Sequence, residues 1–202
     1  MNLHGIVVAA GRGERFGGPK ATVLLGGVPL WKRAVDALVV GGARTVVVVG
    51  EVPGGIPGGL RRRDSVAAGL AALPAGATHV LIHDAARPLA TVPLVRVVVE
   101  RLAAGDVDGV IPGLPVGDTL KRVDGERVLT TVSRQGVIAV QTPQGFEIEA
   151  LRAAHAADHD EATDDAQLVE RNGGRVVYVP GESTNLKITY PEDLAVAEAW
   201  LR

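Results

Sequence analysis

Five short apolar runs, rich in β-branched residues, recur along the chain: GIVVAA (5–10), TVVVVG (45–50), HVLIHD (79–84), DGVIPG (108–113) and RVVYVP (175–180). Each is too short for a helix and is bounded by glycine, proline or charge, so each reads as a buried strand. Between them apolar residues recur at helical spacing in PLWKRAVDALVVGG (29–42), RRDSVAAGLAAL (62–73), VPLVRVVVERLAAG (92–105) and PEDLAVAEAWLR (191–202). Several of these carry proline near the start and glycine after the end, the usual asymmetry of helix termini. Alternation of strand and helix predicts an α/β fold with a mainly parallel sheet and helices on both faces. In such sheets ligands gather at the carboxyl ends of the strands.

One segment breaks the rhythm. Residues 116–134, VGDTLKRVDGERVLTTVSR, hold two β-prone runs around Asp124-Gly125, a signal for a two-residue hairpin turn. An isolated hairpin is marginal in water. The expectation is therefore an arm, inserted at about 115–136 in a single domain spanning 1–202, that reaches a neighbouring subunit.

Composition narrows the chemistry. With 202 residues, 47% of them apolar, the chain can bury a substantial core, and a formal charge of -2 gives no global field for nucleic acid or an acidic membrane surface. There is no cysteine, which removes disulfides, thiolate metal sites and a cysteine nucleophile together. The stretch MNLHGIVVAAG meets charge at Arg12 before any long apolar segment develops, so a soluble cytoplasmic protein without signal peptide or membrane span is expected. Only four lysines are present, which makes each one informative.

The loop after the first strand, AAGRGERFGGPK (9–20), combines Gly11, Gly13, Gly17 and Gly18 with Arg12, Arg15 and Lys20. Glycines let backbone N–H groups approach phosphate oxygens, and the cations neutralise charge. It is not a P-loop, because Pro19 separates glycine from Lys20 and Ala21 follows. Nor is it a dinucleotide fingerprint, since position 16 is phenylalanine. Its charge suits a triphosphate, although a surface turn with arginines reads equally well from this segment alone.

Other segments carry further candidates. HDAARP (83–88) puts Asp84 at the end of a strand, where one carboxylate with substrate phosphates can hold Mg²⁺; a helix N-cap is the plainer reading. GGLRRRDSV (58–66) offers Gly58 and Gly59 to a base or ribose, with Ser65 and Arg62 adding contacts, or Asp64 or Ser65 simply caps a helix. GESTNLKITYPEDL (181–194) sets Lys187 in a β-like run, facing either a pocket or water. His155 and His159, beside Asp158, Asp160 and Glu161, have metal-ligand spacing, but without an HExxH pattern they read as a solvated helix end. No Gly-x-Ser-x-Gly elbow supports a serine hydrolase.

Taken jointly, AAGRGERFGGPK, GGLRRRDSV, HDAARP, DTLKR, VSRQG, QTPQGF, TDDAQL and NLKITYPEDL resemble, in order and spacing, the 2-C-methyl-D-erythritol 4-phosphate cytidylyltransferase family. The resemblance implies a Rossmann-like three-layer αβα sandwich of nucleotidyltransferase type, and a homodimer whose β-arm completes the partner's site. It further implies transfer of CMP from CTP to methylerythritol phosphate with release of pyrophosphate. By resemblance Arg15, Lys20 and Lys187 act at the reacting phosphates, while Ala9, Ala10, Gly11, Arg12 and Gly13 wrap the nucleotide. Gly59, Ser65, Asp84 and Ala85 meet the cytidine or ribose. Arg87, Thr119, Arg134, Thr142 and Thr163 surround the methylerythritol phosphate, with Thr119 and Arg134 supplied across the dimer. Leu60 stands where an acidic residue often follows the paired glycines, which matters little if that contact is made by backbone; Thr184 stands where an aspartate can precede the asparagine, so Mg²⁺ is expected on Asp84 and the triphosphate alone. A ribitol 5-phosphate cytidylyltransferase, another sugar-phosphate nucleotidyltransferase and a catalytically silent nucleotide-binding protein are the alternatives.

Overall fold

The computed structural model describes residues 1–157 and 162–201; His159, with Asp158, Asp160 and Glu161, lies outside the described residues. In chain order the elements are β1 (Leu3–Val8), β2 (Leu24–Leu25), β3 (Val28–Pro29), α1 (Leu30–Val40), β4 (Val46–Val49), α2 (Arg62–Ala71), β5 (His79–Asp84) and α3 (Val92–Ala103). There follow β6 (Gly109–Pro115), β7 (Leu120–Asp124), β8 (Arg127–Val132), β9 (Ile138–Val140), β10 (Gln144–Glu147), α4 (Ile148–Ala156), α5 (Asp165–Arg171), β11 (Val176–Pro180) and α6 (Pro191–Ala199).

The central sheet runs β11-β6-β10-β5-β1-β4, with β9 added to β6. β4, β1 and β5 are mutually parallel and β11 is parallel to β6, while β10 runs antiparallel between β5 and β6. All five runs read from the sequence are strands of this sheet. Successive side chains of a strand face opposite ways, and the core divides accordingly. Ile6, Val80 and Ile82 pack with α2, α4 and α5 on one face. Leu3, Val7 and Leu81 pack with α1 and α3 on the other. The result is the expected αβα layering.

Local chemistry sets the helix starts. Thr91 Oγ1 accepts the Leu94 N–H (3.2 Å) ahead of α3, and Asp164 Oδ1 accepts the Gln167 N–H (2.9 Å) ahead of α5. Before α6, Asp193 Oδ2 accepts the N–H groups of Thr189 (2.7 Å) and Tyr190 (2.8 Å), with Pro191 as the first helical residue. A third cluster, Leu25, Leu30, Ile188 and Ala197, ties the segment before α6 to β2 and α1.

β7 and β8 form a two-stranded sheet of their own, paired from Leu120↔Val132 to Asp124↔Arg127. The turn is one residue later than the Asp-Gly signal suggests: Asp124 still pairs, and Gly125-Glu126 turn, with Gly125 at φ 53°. Glycine at the first central position, followed by a residue with negative φ, suits a type II′ turn and the twist of the strands.

Candidate active site

β1 stands between β4 and β5, so the chain order reverses across it, and a crevice opens at the carboxyl ends of the strands. The parallel register sets Val8 opposite Asp84, which brings the strand-end carboxylate beside the start of the glycine-rich loop. In that loop Gly13 (φ 65°) and Gly17 (φ 91°) bracket one 3₁₀ turn, Glu14–Phe16. The Phe16 and Gly18 N–H groups both donate to the Gly13 carbonyl (2.9 and 3.1 Å). A Cβ on Gly13 would collide with the Gly18 carbonyl, so the loop closes this way only on glycine.

A cavity of about 660 Å³ fills the crevice. Its wall is made by Ala9, Ala10, Gly11, Arg12, Gly13, Arg15 and Lys20 from the loop, Gly59, Arg62 and Ser65 around the start of α2, Asp84 and Ala85 from the end of β5, and Lys187. The residues assigned to the nucleotide or its phosphates by the resemblance are therefore on one surface, whereas Gly17, Gly18 and Gly58 are not part of it. Arg87, Thr119, Arg134, Thr142 and Thr163 are not part of that wall.

Charge is concentrated at the cavity floor. Lys187 Nζ lies 2.7 Å from Asp84 Oδ2, and Arg62 Nε lies 3.3 Å from Asp84 Oδ1. Burial alone pushes the Asp84 carboxyl up, but the charges of Arg62 and Lys187 overcome it and hold the acid far below the carboxylate range. Asp84 is thus ionised and caps no helix. Lys20 is half-buried; burial first, then the charges of Lys187 and Arg15, push its pKa down. Arg15 holds its guanidinium 5.8 Å from the centre of the Tyr190 ring. Several cations crowded about one carboxylate make a strong anion site.

The helix-start alternatives for α2 resolve by role. Asp64 Oδ2 accepts the Arg61 N–H (3.1 Å) and so serves the helix start, whereas Ser65 is buried and its Oγ accepts the Gly59 N–H (3.1 Å) at the cavity wall. Lys187 sits in irregular structure rather than in a strand, because the segment is pinned by side chains instead of a ladder.

The remaining expected residues have other surroundings. Arg87 spends its two terminal nitrogens on the carbonyls of Asn185 (2.7 Å) and Val140 (3.1 Å). Thr142 is buried beneath the site, where its Oγ1 accepts the Asp84 N–H (3.1 Å) and lies 2.8 Å from His83 Nδ1. His83 is wholly buried, and burial lowers its pKa to about 4, so the ring is neutral at pH 7. Thr163 N–H donates to Gln167 Oε1 (2.9 Å) just before α5. Thr119 is exposed ahead of β7, and Arg134 Nη1 donates to the Gly117 carbonyl at the base of the hairpin.

Sequence reasoning missed two partners of this site. His155 is not solvated: its side chain is 7% exposed and its Nε2 lies 3.0 Å from Asp165 Oδ1. Asp165 in turn takes Arg62 Nη1 at 2.5 Å. Among the described residues no group of three or more His, Cys, Asp or Glu could hold a metal.

A mainly parallel sheet whose first strand feeds a cationic glycine loop, with an ionised carboxylate on the adjacent strand, is the frame of an enzyme that handles nucleotide phosphates. Residues 3–202 match the family model described as 2-C-methyl-D-erythritol 4-phosphate cytidylyltransferase. The cytidylyltransferase of Rhodococcus jostii (strain RHA1) is 49% identical over 211 residues, covering 96% of this chain and 92% of that protein. The bifunctional enzyme IspD/IspF of Solidesulfovibrio magneticus is 45% identical over 230 residues, and the match covers 98% of this chain but only 57% of that longer protein. The crystal structure of the cytidylyltransferase from Thermus thermophilus superposes with a TM-score of 0.82 at 39% identity, covering 98% of both chains. The chain belongs to this family, CTP-dependent cytidylyltransferases of the non-mevalonate isoprenoid pathway. Among the described residues no helix is long and apolar enough to cross a membrane.

Proposed function

We propose that the cavity binds CTP and that a phosphate oxygen of 2-C-methyl-D-erythritol 4-phosphate attacks its α-phosphorus in line. The bond to the bridging α–β oxygen breaks, and pyrophosphate leaves. The attacking phosphate oxygen is already ionised and the bridging oxygen leaves as a pyrophosphate anion held by cations, so no protein group has to move a proton. The protein's work is alignment and charge stabilisation. The observation that carries this reading is the convergence of Lys20, Lys187 and Asp84, from three distant stretches, on one cavity floor.

In this reading Arg15, Lys20 and Lys187 act on the phosphates, and Ala9 to Gly13 wrap the nucleotide with backbone groups. Gly59, Ser65, Asp84 and Ala85 face the nucleoside. The depressed Lys20 pKa, caused first by burial and then by the charges of Lys187 and Arg15, supports it, since a desolvated cation among like charges gains from an incoming polyanion. A divalent cation fits the donor set: Asp84 is ionised, and Mg²⁺ is commonly held by one or two carboxylates with substrate phosphates. Asp84 is the residue that would hold it, and when bound it supplies further neutralisation of the triphosphate.

Arg87, Thr119, Thr142, Arg134 and Thr163 are assigned to the acceptor side. Thr119 and Arg134 come from the partner of a homodimer, because the hairpin at 115–136 stands apart from the central sheet of the single domain that bears it. Exposed Val123, Val128 and Leu129 on that hairpin suit contact with a second copy. A chain without cysteine is at home in the reducing cytoplasm, where we place it.

The test is pyrophosphate release from CTP and Mg²⁺ with methylerythritol phosphate, using ribitol 5-phosphate as control. Release with the first acceptor only is expected. Lys20→Ala or Arg15→Ala should lower kcat about 10²-fold, the loss of one preorganised charge stabiliser. Near-wild-type turnover in both variants would remove the loop from the chemistry.

A further inference from the structure

Arg62 is shared between two carboxylates. It opens α2, its side chain is 26% exposed, and it borders the CTP cavity. Its Nε touches Asp84 Oδ1 at 3.3 Å, and its Nη1 is held much closer by Asp165 Oδ2, at 2.5 Å. Asp165 is the first residue of α5 and its side chain is 1% exposed. Its second oxygen is taken by His155 Nε2 from the last turn of α4, at 3.0 Å. Three helices thus converge on one guanidinium. Arg62 Nη2 is buried without a hydrogen-bond partner among the described residues, so its polar contacts there are those to Asp84 and Asp165.

A buried guanidinium beside a single carboxylate closes onto it as a bidentate pair. Here that would lay Arg62 across Asp84, the strand-end carboxylate of the cavity. The shorter hydrogen bond to Asp165 holds the guanidinium on the α5 side, so that Arg62 makes one long contact with Asp84 Oδ1 while Lys187 Nζ stays 2.7 Å from Oδ2. His155 keeps Asp165 from rotating, because it occupies the oxygen that Arg62 does not.

We infer that Asp165 and His155 are positioning residues for the nucleotide site: they hold Arg62 back so that it orients Asp84 without covering it. The inference rests on the cavity being the CTP site. Arg62 and Asp84 both border the nucleotide cavity, so the effect is expected on CTP.

Steady-state kinetics and calorimetric CTP binding test it, with melting temperature as the control for folding. Asp165→Asn should raise KM and Kd for CTP by about tenfold, with KM for methylerythritol phosphate changed by less than about threefold, as for loss of one charge-assisted contact. In an Arg62→Leu background Asp165→Asn should add nothing to the loss, since the two act as a unit. Should Asp165→Asn fail to fold, the His155 variants decide alone. His155→Leu should raise KM for CTP about threefold or more, while His155→Gln, which can still donate to Asp165, should restore it. If the variants only melt earlier and keep the wild-type KM and Kd for CTP, the residues are structural and the inference is wrong. Lys20→Ala, run alongside, separates the two readings. If it binds and turns over CTP like the wild type, the cavity assignment fails; if it loses CTP while the Asp165 and His155 variants do not, only the positioning role fails.

Discussion

Lys187 reaches Asp84 from a segment with no regular structure, and amide side chains fix that segment. Gln141 Nε2 donates to the Glu182 carbonyl (2.8 Å), while its Oε1 accepts from the Glu182 N–H (3.1 Å) and from Asn185 Nδ2 (3.3 Å). Asn185 is wholly buried and also donates to the Thr142 carbonyl (2.9 Å). Gln141→Leu keeps the bulk but strands the Asn185 and Glu182 donors, at a cost of about 2 kcal/mol. A lower urea midpoint and reduced kcat are expected; an unchanged kcat would show that Lys187 is held without this network. Scarcity pointed to Lys187, and a strand-end position pointed to Asp84. Gln141 opens the QTPQGF stretch but its role was not legible, because an amide gains its meaning only from neighbours that are distant in sequence. Arg87, expected at the acceptor, has both terminal nitrogens on backbone carbonyls, a use that no motif reveals.

At the scale of elements, the parallel strands were legible because two-sided burial writes them as unbroken apolar runs. β10 was not. Gln144–Glu147 has no β-branched residue, and its fitness is tertiary: Gly145 lets α3 approach, since a Cβ there would meet Val98 at 2.9 Å, and Phe146 lies opposite Gly109. α5 was also missed, as seven residues are too few for a helical period to show. One element-level consequence can be measured. His4 in β1 is buried and its Nδ1 lies 2.7 Å from Thr45 Oγ1, tying β1 to the turn before β4. Burial, then the charge of Arg44, lowers the His4 pKa below its ordinary 6.5. The unfolded chain therefore takes up this proton first, so the His4 contribution is full above about pH 6.5 and is lost as the pH falls below it. The difference in urea midpoint between wild type and His4→Asn should shrink from pH 7.5 to pH 5.5. A difference that stays constant or grows would contradict the assignment.

For the whole molecule the question is where a complete site resides. The cavity is built from one chain, yet Arg134 and Thr119 sit at the root of a hairpin outside its wall. If the arm serves its own chain, a subunit lacking Lys20 and a subunit lacking Arg134 are both dead, together or apart. If it serves the partner, a heterodimer of the two variants contains one doubly damaged site and one intact site. Two-fold symmetry then fixes the outcome: Lys20→Ala and Arg134→Ala subunits, co-expressed with different tags and purified through both, should recover about half the wild-type turnover per dimer. Each variant alone should stay near background in pyrophosphate release at low methylerythritol phosphate, where the Arg134 defect in acceptor binding is fully felt. Failure to isolate a doubly tagged species would sink the dimer itself. A doubly tagged species that remains inactive would keep the dimer and return the arm to its own chain. Val123, Val128 and Leu129, left open on the hairpin, are then the residues whose burial a recovered heterodimer must explain.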